Sequence, residues 1–126
     1  MKSLLKSVLV ILLLVAGSAL ADWTPYTQSA FDSLQQQGKP VLVWVHAVWC
    51  TTCKAQEPIL SGLLKQKEYQ GIAALRVDFD SQKDVVRALH VAKQSTLIVF
   101  KGGMEAGRST GDTSREGIEH LVQKAL

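Results

Sequence analysis

The chain has 126 residues, short enough for one domain. It carries 14 Lys and Arg against 11 Asp and Glu, a formal charge of +3. Two of those lysines, Lys2 and Lys6, precede an apolar run. Without them the balance is near neutral, and no basic cluster remains to read as a nucleic-acid surface.

Taken in chain order, the first segment reads as a leader. After Lys2 and Lys6 comes the continuous apolar stretch Ser7 to Ala16, then small residues from Gly17 to Ala21 with an A-x-A pattern. This layout predicts a cleavable signal peptide over 1–21, cut between Ala21 and Asp22. The apolar run is about ten residues, against the roughly 20 that span a bilayer. Residues 22–126 are then the domain, about 105 residues, enough for one modest core. The implied location is periplasmic or secreted. There the chain's two cysteines, Cys50 and Cys53, meet an oxidising environment where disulfides persist.

Asp22 to Tyr26 reads as a short lead-in. Thr27 to Gln37 has Ala30, Phe31 and Leu34 at helical spacing and stops at Gly38-Lys39-Pro40. Val41 to Ala47 (VLVWVHA) is nearly all apolar and predicts a central strand. Trp49 to Cys53 turns into a second helix reaching about Lys67, with Pro58 inside it as a kinking residue. Ile72 to Phe79 is a strand. Ser81 to His90 is a helix, with Ser81-x-x-Asp84 as its cap. Thr96 to Lys101 is a strand, turned by Gly102-Gly103 into another near Glu105 to Ser109. Thr113-x-x-Glu116 opens a last helix with Ile118, Leu121 and Val122 inward. A β-α-β unit requires parallel strands, whereas a tight Gly-Gly turn implies an antiparallel pair. The expected architecture is therefore α/β, a mixed central sheet with helices on both faces.

The chemistry lies in Cys50-Thr51-Thr52-Cys53. Residues three apart on a helix share a face, so their Cβ atoms can come within disulfide reach. The free N–H groups and dipole of a helix N-terminus favour negative charge. They lower the thiol pKa of Cys50 and make it nucleophile and leaving group, with Cys53 as the resolving thiol and the more buried of the two. Two other uses of the spacing stand beside this one. A structural bridge here would close only a tiny loop and constrain the unfolded chain little. A structural zinc site needs four ligands, and the histidines are scattered at 46, 90 and 120. A soft-metal module holding Cu(I) or Zn(II) on Cys50, Cys53 and His46 is the alternative function.

Val41 to Leu60, VLVWVHAVWCTTCKAQEPIL, resembles the active-site segment of thioredoxins: an apolar strand, Trp before the first Cys, C-x-x-C-Lys, and Pro five residues after the second Cys. Ser95 to Gly103, STLIVFKGG, resembles the segment that follows their active-site-facing cis-proline, and Gly111 stands where the family has a glycine before its last helix. The resemblance implies the thioredoxin fold and a disulfide-exchanging Cys50–Cys53 pair. It also implies a groove for an extended substrate, bordered by Gln94, Ser95 and Thr96.

Two departures stand out. Ser95 replaces the cis-proline, and a cis bond before a non-proline residue costs about 3 kcal/mol, so the Gln94–Ser95 bond is expected to be trans. Trp44 occupies a strand position where thioredoxins often bury an acid that moves the resolving thiol's proton. Strand alternation puts His46 on the face of Trp44, which makes it a candidate proton shuttle. Trp49 is expected to shield Cys50 and meet substrate, Lys54 to favour the thiolate. Asp78 and Asp80 read as a solvated pair at a strand end, with Arg76 as partner. The expected function is an exported, monomeric thiol–disulfide oxidoreductase, needing no cofactor and acting reductively on protein disulfides. Its cysteine pair would be recycled by a membrane redox partner.

Overall fold

The computed structural model describes residues 23–126, so the expected signal peptide and its cut site lie outside the described residues. The elements run β1 (Thr24–Pro25), α1 (Gln28–Gln36), β2 (Val41–His46), α2 (Thr51–Leu64), β3 (Ala73–Asp78), α3 (Lys83–Ala88), β4 (Thr96–Lys101), β5 (Met104–Thr110) and α4 (Arg115–Gln123). A 3-10 turn at Lys67–Tyr69 follows α2. The strands form one sheet in the order β1-β3-β2-β4-β5. β1, β3 and β2 are parallel, and β4 and β5 run antiparallel to their neighbours. This is the expected mixed sheet.

β2 lies in the middle, and its alternation sorts the core into two layers. Val41, Val43 and Val45 pack with Phe31 and Leu34 of α1 and Val86 of α3. Leu42 and Trp44 pack with Leu60 and Leu63 of α2 and Ile118 and Val122 of α4. With both faces covered from Val41 to Val45, β2 has no solvent side to mark with polar residues there, which is why it reads as an apolar run up to His46. Gly102 and Gly103 turn β4 into β5 at φ of 59° and 81°, a left-handed conformation that glycine adopts without steric cost.

Several boundaries differ from the sequence reading. The lead-in holds a strand: Thr24 and Pro25 pair with Leu75 and Arg76, and the Tyr26 N–H donates to the Arg76 carbonyl at 2.9 Å. Proline is tolerated there because β1 is an edge strand. α3 is shorter than expected. Its N-cap is Gln82, which makes no side-chain cap bond, so Ser81 does not cap it. The last helix is capped by Ser114, whose hydroxyl accepts from the Gly117 N–H at 3.1 Å, and not by Thr113. α2 ends at Leu64, and Pro58 sits within it without ending it.

Candidate redox site

β2 delivers the chain to a turn at its C-terminal end. The Cys50 N–H donates to the Ala47 carbonyl at 3.1 Å, and Cys50 becomes the N-cap of α2 in an extended conformation. Its Sγ accepts the Cys53 N–H at 3.0 Å, the bond a Ser or Asp oxygen usually makes at this position. Cys50 and Cys53 are joined as a disulfide, their Cα atoms 5.2 Å apart. Both are buried, at 1% and 0% exposure, so burial does not separate them as expected. Their polar surroundings do. In the reduced pair the Cys53 N–H and the dipole of α2 stabilise a thiolate on Cys50. Cys53 Sγ lies 3.9 Å from the Val45 carbonyl oxygen, which accepts from a thiol and repels a thiolate.

Around the pair, Val48 and Trp49 are exposed. The Trp49 indole is fixed edge-on to Phe79 and donates Nε1–H to Asp80 Oδ2 at 2.8 Å. Asp80 thus serves Trp49, while Asp78 Oδ1 accepts from the Asp80 and Ser81 N–H groups of the following turn. Arg76 forms no ion pair among the described residues and is not their partner; the two ion pairs found there are Arg87–Asp84 and Arg108–Glu105. Lys54 is exposed, and its backbone N–H closes the first turn on Cys50 O at 3.2 Å.

Ser95 is brought to the cysteines. Its peptide bonds are trans, its φ is +62°, and its N–H donates at 2.7 Å to the same Val45 carbonyl that faces Cys53. Ser95 and Thr96 are buried. The Ser95 hydroxyl turns back to the Gln94 carbonyl, and Thr96 Oγ1 reaches Lys93 O and Thr110 Oγ1. Gln94 is half-buried.

Sequence reasoning missed Gln56. It is wholly buried and three residues beyond Cys53. Its Oε1 accepts the Trp44 Nε1–H at 2.9 Å, and its Nε2 donates to Ser95 O at 3.1 Å and Asp112 O at 3.0 Å. The available signal was position: Cys53, Gln56, Leu60 and Leu63 are the buried face of α2, and a glutamine in that series must find partners inside.

His46 stands edge-on to Trp44, ring centroids 4.8 Å apart. Its pKa is lowered, first by burial and then by the Arg76 charge, with Glu57 and Asp78 pulling the other way. His46 is therefore neutral at neutral pH, able to accept a proton. Among the described residues no three His, Cys, Asp or Glu side chains gather as a metal-binding group, so His46 is not brought in as a third donor to the cysteine pair.

A cysteine pair that caps a helix at the end of a buried central strand, and that closes a disulfide there, defines a thiol–disulfide exchange protein. The thioredoxin family model matches residues 22–124. A thioredoxin H-type of Fagopyrum esculentum is 30% identical over 111 residues, covering 88% of this chain and 90% of that protein. The bifunctional thioredoxin reductase/thioredoxin of Mycobacterium leprae is 31% identical over 90 residues, 71% of this chain and 19% of that protein. The crystal structure of Trxlp from Edwardsiella tarda EIB202 matches with a TM-score of 0.74 at 41% identity, covering 77% of this chain and 95% of that one. The chain belongs to the thioredoxin family, has its fold, and is a thiol–disulfide oxidoreductase.

Proposed function

We propose that this chain is an exported reductase of protein disulfides, with Cys50 as nucleophile and Cys53 as resolving thiol. The observation that carries the assignment is the Cys53 N–H donated to Cys50 Sγ at the head of α2, against a carbonyl beside Cys53. The Cys50 thiolate attacks one sulfur of a substrate disulfide, forming a mixed disulfide and expelling the other substrate sulfur as a thiolate. Cys53 then loses its proton and attacks Cys50 Sγ. This releases the second substrate thiolate and closes the Cys50–Cys53 bond. Two electrons pass to the substrate.

Export rests on the leader pattern over 1–21. Outside the cytoplasm the pair needs electrons brought across the membrane, so a membrane dithiol donor recycles it. The Mycobacterium leprae relative carries a reductase in its own chain, a precedent for a dedicated donor. The working unit is a monomer, and Trp49 with Gln94, Ser95 and Thr96 borders the substrate.

Trapping tests the whole reading. A Cys53→Ala variant expressed with its leader should accumulate in the exported fraction, beginning at Asp22, with its substrate held on Cys50 as a mixed disulfide. Failure to trap any protein, or retention of the leader on a chain that stays inside, would refute it. Equilibration against glutathione or dithiothreitol buffers gives the direction. A pair as oxidising as the exported oxidases would reverse it.

A further inference from the structure

We infer that Gln56 is a positioning residue for protein substrates: its buried side-chain amide holds the Ser95 turn against the cysteine pair. The inference rests on the reductase reading and goes beyond it by naming what shapes the substrate-facing loop.

The Val45 carbonyl is where the site converges. It accepts the Ser95 N–H at 2.7 Å and stands 3.9 Å from Cys53 Sγ. The turn that carries Ser95 is therefore a wall of the redox centre. That turn holds a serine at φ +62°, a conformation that side-chain-bearing residues keep only when their surroundings enforce it. The enforcement is visible. The Ser95 carbonyl accepts from Gln56 Nε2 at 3.1 Å and from the Gly111 N–H at 3.1 Å.

Gln56 spends its second Nε2 proton on Asp112 O, and its Oε1 takes the Trp44 indole proton. Every part of the amide is used, and all of it is buried. A glutamine amide has two donors and one acceptor oxygen at fixed angles. One side chain on α2 thus fixes β2, the Ser95 turn and the loop before α4 relative to one another. A small disulfide needs only access to Cys50 Sγ. A protein disulfide must also fit its flanking chain past the walls of the site, the Ser95 turn among them. Loosening the turn should therefore weaken protein substrates selectively.

The test uses the wild-type mature protein with Gln56→Leu and Gln56→Glu. Reduction of insulin disulfides is compared with reduction of hydroxyethyl disulfide from pH 5.5 to 8. In Gln56→Leu the KM for insulin should rise about tenfold. The insulin kcat, the hydroxyethyl disulfide rate and the equilibrium constant with glutathione should stay within about threefold. In Gln56→Glu the introduced carboxyl, when protonated, can accept from Trp44 and donate to a carbonyl. When ionised it faces the Ser95 and Asp112 oxygens as a like charge. Its insulin KM should be near wild type at pH 5.5 and rise several-fold toward pH 8, while the small-disulfide rate follows the wild-type profile. This second variant decides the matter if Gln56→Leu does not fold.

Equal losses on both substrates would overturn the inference, because the amide would then act on the cysteines themselves. An insulin KM that moves in neither variant would also overturn it. If the wild type reduces neither substrate, the reductase reading fails instead. The protection of the Ser95 amide against hydrogen exchange then judges Gln56 on its own. A loss of tenfold or more in Gln56→Glu at pH 8 supports positioning, and unchanged protection refutes it.

Discussion

Trp44→Phe removes one ring of the indole and its N–H from the centre of the core. Trp44 has no exposed surface; it packs on Trp23 with centroids 4.9 Å apart and on His46 at 4.8 Å, and donates to Gln56. The missing ring amounts to roughly two methylene-sized groups, about 1.6 kcal/mol at about 0.8 kcal/mol each. The Gln56 oxygen is left buried without a donor, which costs about 1–3 kcal/mol. The expected loss is about 3 kcal/mol, a large part of the roughly 5–15 kcal/mol that holds such a domain together. Guanidinium unfolding of the oxidised protein should show it as a lower midpoint at unchanged slope. The melting temperature should drop by about 12–20 °C. Combining it with Gln56→Leu should cost less than the sum of the single losses by at least about 1 kcal/mol, because each change orphans a group the other removes. Additive losses, or a single loss under about 1 kcal/mol, would show that the Trp44–Gln56 bond contributes little and that the buried network has been misread.

Ser95→Pro should destabilise the fold by more than about 3 kcal/mol, although the family usually has proline there: proline holds φ near −65° and lacks the N–H that reaches Val45. Unchanged stability in denaturant unfolding would mean the turn has rebuilt itself; Ser95→Gly, which accepts the positive φ, should cost far less. His46 titrates lower when folded than the ordinary value of about 6.5. The unfolded chain therefore binds the extra proton first. Its contribution to stability is full above about pH 6.5 and declines as pH falls below it. His46→Gln should remove that part of the stability–pH curve, and an identical curve would contradict the shift. Ser114→Ala deletes the α4 cap and should cost about 1 kcal/mol in the same unfolding assay, with no effect on disulfide exchange.

β2 was legible in the sequence because Val41 to Val45, covered on both faces, is apolar throughout, and the redox pair because three residues of helix bring two sulfurs together. The Gly102-Gly103 turn was legible because both residues need positive φ. What escaped was fixed by partners far away in sequence. Thr24–Pro25 is a strand only through β3. Asp80 meets Trp49 across 31 positions, and Gln56 meets Ser95 across 39 and Asp112 across 56. Thr113 and Ser114 are both competent caps, and the choice falls to Ser114 because Asp112 Oδ1 holds its N–H at 2.8 Å and its hydroxyl at 2.7 Å. No local pattern carries such information.

The two departures from the family pattern, Trp44 and Ser95, prove to be parts of one arrangement. A buried indole has a donor and no acceptor, so Trp44 requires an oxygen, and Gln56 supplies it. The other end of that amide then requires acceptors, and the Ser95 turn offers its carbonyl. A carboxylate in place of Trp44 would set one acceptor against another at Gln56 Oε1, so reverting this position alone should fail. The exchange of groups also has a kinetic consequence. Cys53 Sγ lies 3.9 Å from the Val45 carbonyl oxygen, so in the reduced pair that oxygen would favour the protonated sulfur. Resolution of the mixed disulfide then waits for Cys53 to ionise, and its rate should climb about tenfold per pH unit from pH 6 until the thiol titrates. His46, edge-on to Trp44, is a candidate to take that proton earlier. Stopped-flow resolution of a Cys50 mixed disulfide separates the two routes. A steady climb through neutrality assigns the proton to solvent. An inflection below pH 6.5 that His46→Gln abolishes assigns it to the histidine and defeats the carbonyl argument.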